Sequence, residues 1–131
     1  MEITVLAVFL KGKKLLLEKR RKDEDNYAGL WALPGGHKRK SETYIRALRR
    51  EMREEVGIVI KKSRYIGAFK DIDPTSKELY SHHAFLCAEW HNHITHTKEQ
   101  EKVKWIDIKK YNKLKPVRKI DKQILKKAKV L

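Results

Sequence analysis

Residues 41–58 constrain this chain more than any other stretch. Apolar side chains recur there at Ile45, Leu48, Met52 and Val56, the 3, 4, 4 spacing of a helix that buries one stripe. Ser41 can cap the start of a helix running from about residue 42 to 56, and Gly57 suits its C-terminal end. Once the stripe is docked, Glu51, Glu54 and Glu55 are related by i, i+3 and i+4 and share one edge beside it. Three like charges in one patch repel, so the cluster costs stability unless a cation sits among them. Hard carboxylate oxygens suit Mg²⁺ or Mn²⁺, ions that keep some of their waters and bind substrate phosphates. Arg50, four residues before Glu54, can hold that carboxylate in place. Taken alone, the run Arg49 to Glu55 equally describes a solvated face whose charges pair with one another.

The flanking segments read as strands. Residues 3–10 and 14–20 are rich in Val, Leu and Ile around Lys11-Gly12-Lys13 and form a predicted β-hairpin. After a polar loop (21–26), Trp31-Ala32-Leu33 is a short apolar piece that Pro34-Gly35-Gly36 stops and turns. Strand-like runs follow the helix at 58–70, 79–90 and 103–108, and Pro116 opens a predicted C-terminal helix. Strands on both sides of a central helix, with another helix at the end, predict an α/β fold in which a mixed sheet is covered by helices. No repeat, low-complexity linker or second unit interrupts the 131 residues, so a single domain over 1–131 is expected.

Charge narrows the partners. A formal net charge of +15 at this length favours anionic ligands such as nucleotides, nucleic acid or anionic surfaces. Residues 109–131 hold ten Lys or Arg against one acid, Asp121, while Val117, Ile120, Ile124 and Ala128 recur at helical spacing. The plain reading is a docked amphipathic helix with a wet, lysine-rich face; the second is weak nucleic-acid binding through that face. The longest apolar runs are too short to span a bilayer, and the start lacks a signal peptide's order of basic, apolar and small residues. A soluble, cytoplasmic protein without membrane contact is expected, with its oligomeric state open. The single cysteine, Cys87 in an apolar run, reads as inert core. His82-His83 on a strand would point to opposite faces, and no cysteine or acid joins His91, His93 and His96 into a tetrahedral set, so zinc is not expected.

The wider spacing decides between a catalytic edge and a solvated one. Gly36, five residues, Glu42, seven residues, then Arg50-Glu51-Met52-Arg53-Glu54-Glu55-Val56-Gly57-Ile58 matches without a mismatch the Nudix pattern of glycine, x5, Glu, x7, Arg-Glu, apolar, x, Glu-Glu, x, Gly, apolar. Gly29 to Gly36 resembles the strand and turn that lead into the box in MutT-like members, and Val103-Lys104-Trp105-Ile106 resembles their late strand. The resemblance implies a Nudix-type mixed β-sheet sandwiched between α-helices. It also implies that Glu54 and Glu55 bind metal, that Glu51 binds metal or acts as base, that Arg50 orients a glutamate, and that the Gly36 carbonyl completes the site. Glu42 would be structural or a weaker participant. Family members often recruit a further acid before the late strand; Glu99 fits best and Glu101 second. MutT-like loops commonly carry an acid and a glycine between the positions of Gly36 and Glu42, whereas this chain has His37-Lys38-Arg39-Lys40-Ser41, whose cations can grip phosphates or face solvent.

The implied chemistry is Mg²⁺- or Mn²⁺-dependent attack of water on the diphosphate of a nucleoside diphosphate derivative. For a MutT-like enzyme that means a nucleoside triphosphate converted to monophosphate and pyrophosphate. Lys38 and Arg39 are the expected phosphate contacts. Tyr27 and Phe69 are candidate base contacts, although these two and Trp31 equally suit the core. Pro74, sixteen residues after Ile58, resembles a proline in ADP-ribose diphosphatases, but in Asp71-Ile72-Asp73-Pro74-Thr75 it also simply shapes a turn. Nucleoside triphosphates therefore rank first and ADP-ribose second. An RNA-binding module without catalysis is the rival from another class, opposed by the intact acid cluster.

Overall fold

The computed structural model describes residues 1–91 and 102–131. Seven strands and two helices follow in the order β1 (Glu2–Lys11), β2 (Lys14–Lys19), β3 (Trp31–Ala32), β4 (Gly35–His37), α1 (Tyr44–Val56), β5 (Val59–Ile72), β6 (Leu79–His91), β7 (Lys102–Asp107) and α2 (Ile120–Lys127). A 3₁₀ segment, Ile108–Lys113, links β7 to the final stretch. The strand order is β3-β2-β1-β6-β5, with β4 also on β1 and β7 on β2. β1 runs parallel to β6 and antiparallel to β2 and β4, so the sheet is mixed.

Alternation along the strands feeds two cores. Val5, Ala7 and Phe9 of β1 pack with Leu48, Met52 and Val56 of α1 on one face; Leu6 and Val8 pack with Ile124 and Leu125 of α2 on the other. A sheet buried on both faces needs a helix on each. Cys87 lies within the α1 core, where burial pushes its thiol up to about 12, as suits an inert side chain. Among the described residues no helix is long and apolar enough to cross a membrane.

The structure corrects four boundaries or contacts. The cap of α1 is Thr43, whose Oγ1 accepts from the Arg46 N–H, and the helix begins at Tyr44 because Glu42 is drawn aside by Arg50. Gly57 ends the helix in the left-handed region (φ 70°), as expected. Gly35–His37 does not simply stop a strand: it forms β4 against Thr4–Leu6 of β1. The C-terminal helix does not open at Pro116 but at Ile120, and it ends at Lys127. Val117 instead bridges to Trp31, and Arg118 and Asp121 are buried together rather than solvated.

Candidate active site

Gly36 and α1 meet at the centre of the site. Pairing of β4 with β1 brings the Gly36 backbone against the first turns of α1, so close that a Cβ on Gly36 would fall on the Glu51 carboxyl group. Glycine stands there because no side chain fits between strand and carboxylate.

Arg50 organises the charges around this contact. Its guanidinium grips Glu42 with two donors (Nε to Oε2, 2.6 Å; Nη2 to Oε1, 2.9 Å). Nη1 donates to Glu51 Oε1 at 2.9 Å and reaches Glu54 Oε2 only at 3.4 Å, and Nη2 also donates to the His37 carbonyl at 3.1 Å. The expected Arg50–Glu54 pair is thus the weakest of its contacts, and the fork-on-fork partner is Glu42. Glu42 Oε1 in turn accepts from the Arg39 N–H. The Arg50 guanidinium, helped by that amide, holds the Glu42 carboxyl down at about 2, and the same pairing raises Arg50, which stays cationic.

Gly36, Glu51, Glu54 and Glu55 line one open cavity of about 680 Å³, together with Arg50, Lys38, Arg39 and Tyr27. Phe69 lies elsewhere: it packs on the α2 side under the Lys127 ammonium, 5.6 Å from its ring centroid. Glu99 and Glu101 fall outside the described residues. Among the described residues, no three acids, histidines or cysteines are gathered tightly enough to hold an ion by themselves. What the cavity offers is a set of hard oxygens on one wall, which fits Mg²⁺ or Mn²⁺ shared with water and phosphate oxygens.

The cavity also contains residues that sequence reasoning passed over: Glu18, Arg20, Arg21, Asn26, Tyr80 and Arg118. Arg20 binds the Asn26 side chain and donates through Nε to its carbonyl (3.0 Å); Asn26 Nδ2 donates to Tyr80 Oη at 2.9 Å. Arg118 is 5% exposed, lies 4.9 Å from the Tyr27 ring centroid and pairs with Asp121 at 2.9 Å. The only sequence signal for that pair was a lone acid three residues after an arginine.

Tyr27 is held from beneath. Its backbone sits at φ 45°, with its N–H donating to Asp73 Oδ1 at 2.8 Å; its hydroxyl donates to Asp71 Oδ1 at 2.5 Å and meets His82 Nε2 at 2.9 Å. His82 is fully buried. Thr4 Oγ1 lies 2.6 Å from its Nδ1, and Asp71 Oδ1 lies 2.8 Å from its Nε2. A neutral ring protonated on Nε2 satisfies these partners. Burial, with the Arg118 charge, keeps it neutral by lowering its pKa to about 4. The turn around Pro74 therefore supports the Tyr27 loop, and none of residues 71–75 lines the cavity. Tyr27 is 2% exposed and Trp31 8%, so both belong mainly to the interior.

Comparison with known proteins gives the family and the fold. The NUDIX domain family model matches residues 2–128. An 8-oxo-dGTP diphosphatase of Buchnera aphidicola (subsp. Schizaphis graminum) is 32% identical over 111 residues, covering 82% of this chain and 81% of that one. A CTP pyrophosphohydrolase of Escherichia coli is 32% identical over 87 residues, covering 66% and 62%. Among solved structures, a MutT NUDIX hydrolase of Burkholderia pseudomallei superposes with a TM-score of 0.85 at 23% identity, covering 96% of each chain. The E. coli ORF135 protein gives 0.80 at 27%, covering 100% of this chain and 90% of that one.

Proposed function

The chain belongs to the Nudix hydrolase family, and on that footing we propose that it is a single-domain, Mg²⁺- or Mn²⁺-dependent pyrophosphohydrolase that converts a nucleoside triphosphate to the monophosphate and pyrophosphate. One observation carries the reading: the acid edge of α1 and the cations Arg20, Arg21, Lys38 and Arg39 line the same cavity. A polyphosphate needs both, an anionic wall that holds divalent ions and side chains that take the remaining negative charge. The names of the relatives, an 8-oxo-dGTP diphosphatase and a CTP pyrophosphohydrolase, point to the same substrate class.

In this reading Glu51, Glu54, Glu55 and the Gly36 carbonyl hold the metal, and Glu99 from the segment before β7 adds a further acid. A divalent ion held there would supply charge neutralisation at the phosphates and would lower the pKa of water bound to it. The chain's own residues do the positioning. Arg50 fixes Glu51 through the 2.9 Å contact and, by gripping Glu42, ties the loop to the helix that carries the acids. A glutamate of this edge, Glu51 or Glu54, accepts the proton of water as it attacks phosphorus. Lys38 and Arg39 bind phosphate oxygens, and Tyr27 supports the nucleoside side of the cavity. ADP-ribose ranks second as the alternative substrate; no residue of the Pro74 turn lines the cavity to favour it. A module that binds RNA without turning it over would have no use for acids held in this register. The exposed lysines of α2, Lys122 and Lys126, lie outside the cavity lining, so weak electrostatic contact with nucleic acid there is separate from turnover.

The test is release of pyrophosphate from dGTP with and without Mg²⁺, for the parent and for Glu54→Gln and Glu55→Gln. Gln keeps the shape and removes the charge, so the rate is expected to fall at least about a hundredfold with folding intact. Normal turnover by the double variant would place the site elsewhere.

A further inference from the structure

Outside the cavity, three rings meet on the α1 face of the sheet. His83 of β6 is stacked against Tyr44, the first residue of α1, with centroids 3.8 Å apart and planes within 12°. Tyr65 of β5 bonds His83 edge-on, its hydroxyl 2.8 Å from Nδ1, with centroids 6.0 Å apart and planes 22° apart. An in-plane hydrogen bond between nearly coplanar rings makes Tyr65 and His83 one continuous shelf. Tyr44 covers the His83 half, parallel to Tyr65 within 10° and 6.5 Å from it. Phe85 meets the Tyr65 ring at 5.2 Å and 62°, 46% of Tyr65 stays exposed, and the edge of Tyr44 forms a step beside it. Burial and the nearby Lys38 cation keep His83 below its ordinary value, so the shelf itself carries no charge at neutral pH.

The surroundings are cationic. The Lys38 ammonium, at the rim shared with the diphosphate cavity, stands 5.8 Å from the Tyr44 centroid, and Arg39 and Lys40 follow it in the chain. β5 ends the strand order, so among the described residues no further strand walls the shelf off. A half-exposed aromatic face with a step of the same thickness as a stacked ring, bordered by the cationic 38–40 loop on a chain of net +15, has the chemistry that takes a nucleobase and its flanking phosphates. An acidic protein surface would use the cations and leave the rings unused.

We propose that Tyr65, with His83 and Tyr44, is a base-stacking platform for single-stranded nucleic acid, beside the diphosphate cavity and with none of its three rings in that cavity's lining. The experiment measures fluorescence anisotropy of a 12-nucleotide oligouridine with a 5′-hydroxyl and a 3′ fluorescein, in EDTA, using the full chain. Such a probe has no terminal phosphate for the cavity. Loss of one stacked base weakens binding by about 1–3 kcal/mol, so Tyr65→Ala is expected to raise Kd at least about fivefold. Tyr65→Phe and Tyr65→Trp, which keep a flat face, should stay within about twofold. The fully paired duplex, whose bases are not free to stack on protein, should bind at least about tenfold more weakly. Equal affinity of parent and Tyr65→Ala, or of single strand and duplex, overturns the proposal. A second measurement does not depend on variants: irradiation of a 5-iodouridine oligonucleotide should crosslink Tyr65 or Tyr44, and crosslinks confined to α2 overturn it. Hydrolysis of dGTP should remain parental in Tyr65→Ala, so the platform and the nucleotide reading fail separately.

Discussion

Asp121→Ala tests how the cavity is joined to the helix behind it. Asp121 is fully buried; Oδ1 accepts from Arg118 Nε at 2.9 Å, and Oδ2 accepts from the Leu33 N–H at 2.8 Å, just before the turn into β4. Burial pushes its carboxyl up, and the Arg118 charge and the two donors pull it back. Truncation leaves Arg118 buried without its counter-ion, at about 3–5 kcal/mol, and orphans the Leu33 amide, at about 1–3 kcal/mol. Arg118 borders the open cavity, so water can rehydrate part of it. We expect a net loss of about 4 kcal/mol out of a total of about 5–15 kcal/mol. The double variant Arg118→Met, Asp121→Leu removes both charges and fills the volume, and should lose only about 1–2 kcal/mol. Urea unfolding followed by tryptophan fluorescence measures both; Trp31 reports locally, since its N–H and carbonyl bond Pro116 and Arg118 of the same connection. A loss below about 1 kcal/mol for Asp121→Ala, or equal losses in the two variants, would show that the pair is not the strut described.

Gly36→Ala should lower kcat/KM by about a hundredfold, because the added methyl displaces the Glu51 carboxyl and misplacement by an ångström costs about that much; steady-state kinetics with a parental far-UV spectrum is the check. His82 gives a pH dependence. Its unfolded ring takes a proton near 6.5 and its folded ring only near 4, so the neutral ring's full contribution stands above pH 6.5 and is lost as pH falls toward 4. That loss is on the order of 3 kcal/mol, and His82→Gln should flatten the slope of the urea midpoint over this window relative to the parent. With dGTP and ADP-ribose mixed at equal concentration under limiting enzyme, the triphosphate should be consumed first; preferential loss of ADP-ribose would reverse the substrate order.

Elements governed by local periodicity were legible from the sequence. The stripe Ile45, Leu48, Met52, Val56 specified α1 and its facing, and Gly57 its end, because helix geometry depends on near neighbours. The box then named the acids that the cavity displays. Contacts set by distant chain were not legible. Arg50 prefers Glu42, eight residues back in a loop, over Glu54 on its own helix, and nothing in helical spacing shows where a loop carboxylate will lie. Gly35 and Gly36 read as a stop, yet β1 supplies a partner edge that turns them into strand. Arg118 and Asp121 read as part of a wet, lysine-rich surface, because burial of a charge becomes visible only when its partner is placed. Tyr27 was ambiguous between ligand contact and core; it lines the cavity but spends its polar groups on Asp71 and Asp73.

The loop between Gly36 and Glu42 is fastened at both ends by the same guanidinium: Arg50 binds the His37 carbonyl at the front and Glu42 at the back. Lys38, Arg39 and Lys40 lie between these fastenings, and only the Arg39 backbone takes part in them. Side chains at the three positions can therefore be exchanged without moving the helix that carries the acids. The scaffold separates two kinds of inheritance, one that fixes the acids on their helix and one that is free to vary the cations facing them. Selection acting on the codons of Lys38 and Arg39, the two of the three that line the cavity, can retune how an anion is gripped while the acids keep their places.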